Sequence, residues 1–129
     1  MADLIIADDE PEILTLLERL LSLQHNVRVA GNGMEALQLV REQKPDLALL
    51  DYHMPHMNGA ELAKQFNHHA VPFMFITGES EWEVIQEIIS LGALAYLLKP
   101  FDPMKCIPTV EEALRLAGER RVLQRSAAR

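Results

Sequence analysis

Five polar side chains follow short apolar runs, at the points where buried strands of a parallel sheet would end. In an open α/β sheet the carboxyl ends of the strands share one edge and bind ligands there, so residues far apart in sequence can form one site. Three of the five are carboxylates, which repel one another unless a hard divalent cation such as Mg2+, which prefers oxygen ligands, lies among them. With one hydroxyl and one ammonium group added, the set predicts Mg2+-assisted phosphoryl chemistry. The five residues are Asp8, Asp9, Asp51, Thr77 and Lys99.

The elements that must position these residues alternate along the chain. Short apolar runs, the predicted strands, alternate with stretches of helical periodicity, and runs that are apolar on both faces are typical of a parallel sheet covered by helices on each side. Five such units predict an α/β protein with a flavodoxin-like, doubly wound (βα)5 fold and a five-stranded parallel sheet in the order 2-1-3-4-5. The switch point of that order lies between strands 1 and 3, which end at Asp8-Asp9 and Asp51. The predicted strands cover residues 4–7, 27–30, 47–50, 73–76 and 95–98.

Start and stop signals delimit the helices between these strands. Pro11 opens the first helix, and Pro45 follows the end of the second. Asp102-Pro103 combines a capping residue with proline at the first helical position, which predicts the start of helix 5 there. Helix 4 is predicted over residues 79–92, with apolar positions at Trp82, Ile85, Ile88 and Ile89.

Composition and charge limit the classes of function. The chain has 129 residues, enough for one domain with a core that needs no disulfide, and its single cysteine, Cys106, favours plain packing. A net charge of −7 argues against direct nucleic acid binding through phosphate neutralisation. No apolar run is long enough to span a membrane and no signal peptide pattern opens the chain. We therefore expect a cytoplasmic protein that does not bind membranes.

Each candidate residue also has a purely structural interpretation. Asp8 and Asp9 suit the cap of helix 1, and Thr77 fits an ordinary turn in which Ser80 caps helix 4. Asp51, at the end of an apolar run, fits the start of a loop, and Lys99 fits a solvated loop. The functional interpretation is favoured because every one of these strand ends supplies a group that Mg2+-assisted transfer needs.

Two other classes of protein fit the residues less well. A haloacid-dehalogenase-like phosphatase also forms an aspartyl phosphate, but it carries Asp-x-Asp after its first strand, whereas Asp8 and Asp9 are adjacent. A flavin-binding flavodoxin needs a phosphate-binding loop after the first strand, where Asp8-Asp9-Glu10 would repel a phosphate.

The chain resembles the receiver domain of two-component response regulators, of which CheY is an example. The resemblance covers residues 3 to about 117, and all five of the family's site residues have a counterpart. Its motifs are Asp8-Asp9, Asp51-Tyr52-His53-Met54-Pro55-His56-Met57-Asn58-Gly59, Thr77-Gly78 and Tyr96-Leu97-Leu98-Lys99-Pro100-Phe101.

The resemblance implies that Asp51 accepts a phosphoryl group from a sensor histidine kinase or a phosphotransfer protein. Thr77 and Lys99 would then bind phosphoryl oxygens, and the chain would be a signalling domain that catalyses its own phosphorylation and dephosphorylation rather than an enzyme for a separate substrate. The implied Mg2+ ligands are Asp9, Asp51 and the backbone carbonyl of His53, with Asp8 acting through a water.

The resemblance also implies a switch. Tyr96 would turn inward as Thr77 moves toward the phosphoryl group, reshaping the face of helix 4, strand 5 and helix 5 where partners or a second copy dock. His53 and Glu79 would set the phosphoryl lifetime, and His53 either gates water or points outward. The bond between Lys99 and Pro100 is expected to be cis, as proline allows.

We predict a receiver domain over residues 1–118, followed at 119–129 by a basic tail or the start of a linker helix. Several outputs fit this arrangement: a partner or output domain, a phosphate sink or shuttle without its own output, or the receiver fragment of an RNA-binding antiterminator or transcriptional regulator. The basic residues are Arg120, Arg121, Arg125 and Arg129.

Overall fold

Ten elements alternate along the chain in a computed structural model that describes residues 1–78 and 82–127, with residues 125–127 described by their backbone alone. Every predicted strand and helix is present, with ends that shift by a few residues. The elements are β1 Asp3–Ala7, α1 Pro11–Leu21, β2 Asn26–Ala30, α2 Gly33–Glu42, β3 Leu47–Asp51, α3 Gly59–His68, β4 Phe73–Thr77, α4 Trp82–Ser90, β5 Tyr96–Leu98 and α5 Pro103–Ala127.

The strands form one parallel sheet in the order β2-β1-β3-β4-β5, which confirms the predicted fold class and topology. Ala7, the last residue of β1, lies opposite Leu50 of β3. At the same edge of the sheet, Asp51 lies opposite Ile76 of β4. The carboxyl ends of the three middle strands are therefore level, and the residues that follow them open onto a common edge.

Helices cover both faces of the sheet. On one face, α1 and α5 contribute buried residues such as Leu17 and Val110 to a core cluster. On the other face, α2, α3 and α4 contribute Leu37, Phe66 and Ile88. Strands packed on both faces need apolar residues at every position, which explains the continuous apolar runs in the sequence.

Polar caps begin several of these helices. Asn32 and Asn58 precede α2 and α3, and their side chains accept hydrogen bonds from the backbone N–H groups of Glu35 and Glu61, both at 2.9 Å. Asp102 precedes α5 and its Oδ1 accepts from the N–H of Met104 at 2.9 Å, as the Asp-Pro signal predicts.

Helix α4 differs most from its prediction. It is described over Trp82–Ser90 rather than 79–92, and residues 79–81, including Glu79 and Ser80, lie outside the described part of the chain. Of the four predicted apolar positions, Ile88 is buried, whereas Trp82 and Ile89 are 65% and 59% exposed. Only a narrow stripe of the helix faces the sheet, so apolar residues that recur at helical spacing in the sequence are not all buried in the structure.

Helix α5 continues without a break past residue 118 to Ala127. In the part of the helix after residue 118, the Arg121 guanidinium lies 3.3 Å from Oδ1 of Asp46. Arg129 lies outside the described residues. Cys106 is buried in α5, and burial raises the pKa of its thiol to about 11. Within the described ranges, none of the helices combines the length and apolarity needed to cross a bilayer.

Candidate functional site

Four acidic residues meet at the carboxyl edge of the sheet. Asp8 directly follows β1 and Asp51 ends β3, and both are buried, at 1% and 5% exposure. Asp9 and Glu10 are exposed beside them. Each of the four offers a carboxylate oxygen, and these oxygens lie within 4.8 Å of one another. The structure thus brings together the three predicted carboxylates and adds Glu10, which the sequence reasoning did not single out.

Asp8 shapes the turn into α1. Its Oδ1 accepts a hydrogen bond from the backbone N–H of Glu10 at 2.9 Å. The residue at the cap position of α1 is Glu10, whose side chain makes no capping hydrogen bond, and Pro11 follows it. Asp8 is therefore not the capping residue of α1. One of its carboxylate oxygens holds the turn before the helix, and the other binds a cation.

That cation is Lys99, which reaches back to the carboxylates from the loop after β5. Its Nζ lies 2.8 Å from Asp8, 2.9 Å from Glu10 and 3.4 Å from Asp51. The side chain is 14% exposed, which rules out the solvated-loop interpretation. Burial alone would lower the pKa of Lys99, but hydrogen bonds to Asp8 and Glu10 and the charge of Asp51 raise it above its ordinary value. The ammonium group therefore keeps its charge at neutral pH.

The Asp51 carboxylate lies in an electrostatically unfavourable place. Burial, followed by the negative charge of Asp8, raises its pKa from 3.8 to about 7, although Lys99 acts in the opposite direction. One ammonium group does not compensate the whole cluster. A carboxylate held at this pKa is stabilised in its charged form by any additional cation that binds beside it.

Thr77 and Lys99 are linked through the backbone at the same edge. Thr77 ends β4, is fully buried, and lies opposite Leu98 of β5. Its carbonyl oxygen accepts a hydrogen bond from the N–H of Lys99 at 2.7 Å. The peptide bond between Lys99 and Pro100 is cis, as expected. Thr77 therefore belongs to the edge that carries the carboxylates.

The loop after β3 is held against the start of α3. The N–H of Gly59 donates to the carbonyl of Tyr52 at 2.7 Å. A side chain at position 59 would place its Cβ 2.5 Å from the Asp51 carbonyl oxygen, so this close approach requires glycine. His53 is exposed and, with Asp9, lines the cleft above Asp51. Whether its ring gates water stays a prediction.

The acidic cluster fits a small hard cation. Mg2+ binds oxygen ligands at about 2.1 Å, so opposite ligands of its octahedron are about 4 Å apart. The oxygens of the cluster, within 4.8 Å of one another, need only small movements to reach that spacing. They are all carboxylate oxygens, the donors that Mg2+ prefers, and a bound cation would favour the charged form of Asp51, whose pKa is raised first by burial and then by the charge of Asp8.

Of the two residues predicted for the switch, Thr77 ends β4 and Tyr96 lies on the neighbouring edge strand, β5. Tyr96 begins β5, lies opposite Phe75 in register and is 39% exposed. Leu98 of β5 and Met104 of α5 are also exposed. The predicted face of helix 4, strand 5 and helix 5 thus carries several apolar side chains at its surface.

Comparison with known proteins places these features in context. A family model described as the response regulator receiver domain matches residues 4–111. The transcriptional regulatory protein ZraR of Escherichia coli (strain K12) is 37% identical over 115 residues, which are 87% of this chain and 26% of that protein. The chain thus spans about a quarter of the length of this relative.

Solved structures agree with this match. The chemotaxis protein CheY4 of Vibrio cholerae has a TM-score of 0.83 at 29% identity, over 88% of this chain and 98% of that one. NtrX of Brucella abortus has a TM-score of 0.88 at 28% identity, over 95% of this chain and 29% of that one.

Proposed function

Because the chain belongs to the family of response regulator receiver domains, we propose that Asp51 accepts a phosphoryl group from the phosphohistidine of a sensor histidine kinase or a phosphotransfer protein. One observation carries this proposal: Asp51 ends the central strand, is buried, and has both an ammonium group and an acidic cluster beside it. The neighbouring residues thus offer a cation partner and metal ligands around one carboxylate.

The transfer follows from these groups. An oxygen of the Asp51 carboxylate attacks phosphorus, the bond from phosphorus to the histidine nitrogen breaks, and the imidazole leaves with the electron pair. Lys99 offsets negative charge on the phosphoryl oxygens, and the Thr77 hydroxyl donates a hydrogen bond to one of them. Asp9, Asp51 and the carbonyl of His53 would hold Mg2+, with Asp8 bound through a water. The bound ion would neutralise further charge on the phosphoryl group.

The resulting acyl phosphate is reactive toward water, so the same residues support its hydrolysis. We propose that the domain catalyses its own phosphorylation and dephosphorylation and acts on no separate small-molecule substrate. The proposed consequence of phosphorylation is a change in the surface of the domain.

That surface is the face of α4, β5 and α5, which Thr77 and Tyr96 would reshape on phosphorylation by selecting a minor conformation. We propose that this face binds a partner, an output domain or a second copy of the chain in the cytoplasm, without direct contact to nucleic acid or membrane. Among the outputs, the comparison with ZraR, described as a transcriptional regulatory protein, favours the receiver of a transcriptional regulator over an RNA-binding antiterminator. A phosphate sink without its own output is the alternative.

Intact-mass spectrometry with acetyl phosphate as the small-molecule donor tests the proposed chemistry. The wild-type protein should gain the mass of one phosphoryl group in Mg2+ and none in EDTA, and Asp51→Asn should gain none in either. Asp46→Asn is the matched control. Asp46 directly precedes the first residue of β3, at the opposite end of the strand from Asp51, so this variant should still be labelled. Labelling that persists in Asp51→Asn would overturn the proposal.

A further inference from the structure

Tyr52 directly follows Asp51, and the two side chains point to opposite faces of the sheet. Successive side chains of a strand point to opposite faces. Leu50 packs in the core cluster beneath α2, α3 and α4, and Tyr52 packs against the same cluster. The Asp51 carboxylate instead reaches Lys99, on the other side. Any displacement of the Asp51 backbone therefore also displaces a phenol ring that faces α4.

The position of that ring is well determined. The Tyr52 carbonyl is held by the N–H of Gly59 at 2.7 Å. Its ring meets that of Phe75 in a tilted contact, with centroids 6.1 Å apart. It also meets the ring of His53 edge-on at 5.0 Å. Two ring contacts and one backbone hydrogen bond leave the phenol little freedom to move independently of β3.

The hydroxyl of Tyr52 donates a hydrogen bond to Oε2 of Glu87 in α4 at 2.7 Å. Both side chains are half-buried. A hydrogen bond to a carboxylate that is partly shielded from water is among the stronger ones in proteins, roughly twice as strong as a neutral pair. It joins the strand that carries Asp51 to a helix 35 residues further along the chain.

Helix α4 is otherwise lightly attached. Within Trp82–Ser90, Ile88 alone is buried and Val84 packs against the core while partly exposed, so the helix contributes little apolar area. An element with few buried contacts opens or shifts at low free energy, and a single strong hydrogen bond then controls a large part of its position.

We propose that the hydrogen bond between Tyr52 and Glu87 is a positioning contact that transmits occupation of Asp51 to α4. This inference rests on the proposed function, because it assumes that Asp51 is the occupied residue. Phosphoryl or beryllofluoride binding moves the backbone at positions 51–53, the phenol moves with it, and Glu87 carries the displacement into α4. This route acts in addition to the Thr77 and Tyr96 switch and uses residues that take no part in the chemistry.

Hydrogen exchange of α4 amides tests the contact itself. Tyr52→Phe keeps the ring and removes only the hydroxyl, so without ligand the amides of Ile88 and Ile89 should exchange about tenfold faster. Glu87→Ala should do the same, whereas Glu87→Gln, which retains a neutral acceptor oxygen, should exchange only about threefold faster than the wild type, because a neutral hydrogen bond is roughly half as strong. Glu83→Ala removes an exposed acid from the same helix and is the matched control, with exchange close to wild type. Unchanged exchange in Tyr52→Phe would overturn the inference whatever Asp51 binds.

Transmission is tested by adding beryllofluoride and Mg2+ to the same variants. In the wild type, the amides of Gly78 and Lys99 and those of α4 should all shift. In Tyr52→Phe, the site amides should shift at a ligand concentration within about twofold of that needed by the wild type. The shifts of the α4 amides should fall to less than about half of their wild-type size, as expected when coupling is lost and binding is kept. Full α4 shifts in Tyr52→Phe would overturn this inference and leave the proposed function intact. Wild-type site amides that do not shift at all would overturn the proposed function and this inference with it.

Discussion

The Asp51 carboxylate, the proposed phosphoacceptor, carries a charge that opposes folding in metal-free solution. Its pKa is raised from 3.8 to about 7, first by burial and then by Asp8. Between those two pH values the folded protein binds more protons at this residue than the unfolded chain does. The contribution of Asp51 to the free energy of unfolding therefore falls as the pH rises from about 4 to about 7, and stays low above that range.

Asp51→Asn should reverse this effect. The amide carries no charge at any pH, so in EDTA the variant should be more stable than the wild type, by a few kcal/mol at pH 8 and by somewhat less than half of that at pH 5, since each pKa unit corresponds to about 1.4 kcal/mol. Urea unfolding at both pH values measures the difference. Equal differences at pH 5 and pH 8 would show that the Asp51 carboxylate ionises normally in the folded protein.

For the individual site residues, residue type and position in the sequence predicted much of the arrangement. Asp8, Asp51 and Lys99 meet because parallel strands end at one edge, and that edge follows from the apolar runs. Glu10 was not predicted as a partner of Lys99, since an acid before a helical proline is ordinary at a helix start. The pairing of Tyr52 with Glu87 depends on where α4 lies across the sheet, which no local pattern encodes.

Helix α4 carries the clearest consequence for signalling. Trp82 opens the described part of the helix and is 65% exposed, and the chain has no other tryptophan. Tyr96 is 39% exposed on the adjoining strand, so it has room to turn inward. An exposed indole on a lightly packed helix reports helix movement, since its contact with water changes when the helix shifts.

We therefore expect Trp82 fluorescence to change when Mg2+ is added and again with beryllofluoride. Tyr96→Ala should keep phosphorylation and the Mg2+ response but weaken binding of the partner, because the chemistry and the docking face use different residues. Tyr96→Phe, which keeps the ring, is the control and should bind the partner nearly as the wild type does. Silence of Trp82 and of α4 amides throughout the titration would favour the phosphate-sink alternative.

The helices were predicted with unequal success for a physical reason. Helices α1 and α2 have a proline or a capping asparagine at their starts and a clear apolar stripe. Helix α4 has apolar residues on more of its circumference than the sheet can cover, so Trp82 and Ile89 remain at the surface. The hydrophobic period identifies a helix; the area of the facing sheet decides which of its members are buried.

For the protein as a whole, the proposed binding of Mg2+ by the acidic cluster predicts that stability depends on metal concentration. Asp9 is exposed, so its removal leaves no hole in the core. A cation that binds only the folded state stabilises it by RT ln(1 + [L]/Kd), which is about 2.7 kcal/mol at one hundred times Kd. Mg2+ should therefore raise the melting temperature of the wild type.

Asp9→Ala should lose this rise while melting in EDTA at or above the wild-type temperature, because one source of repulsion has been removed. Calorimetric scans with and without Mg2+ measure both quantities. Asp102→Ala, which removes an acid that caps α5 and lies outside the cluster, is the control and should keep the Mg2+ effect. A marked loss of stability for Asp9→Ala in EDTA would assign Asp9 to the fold rather than to the metal.

The topology of the whole molecule could be predicted because it follows from a few rules: apolar runs of strand length, intervening helices and the order of a doubly wound sheet. The course of the chain after residue 118 could not, since both a solvated tail and a continuing helix fit a basic segment. Described residues of α5 continue to Ala127, and Arg121 contacts Asp46, which directly precedes β3. The receiver boundary at residue 118 stays a prediction.

Locating the phosphoryl group on the chain tests the central claim most directly. Reduction of an aspartyl phosphate with borohydride converts that residue to homoserine, which peptide mass spectrometry assigns to one position. After reaction with acetyl phosphate in Mg2+, we predict homoserine at position 51 alone, and none when EDTA replaces Mg2+. Homoserine at position 8 or 9, or its formation without a divalent cation, would contradict the assignment of Asp51 as the Mg2+-dependent phosphoacceptor.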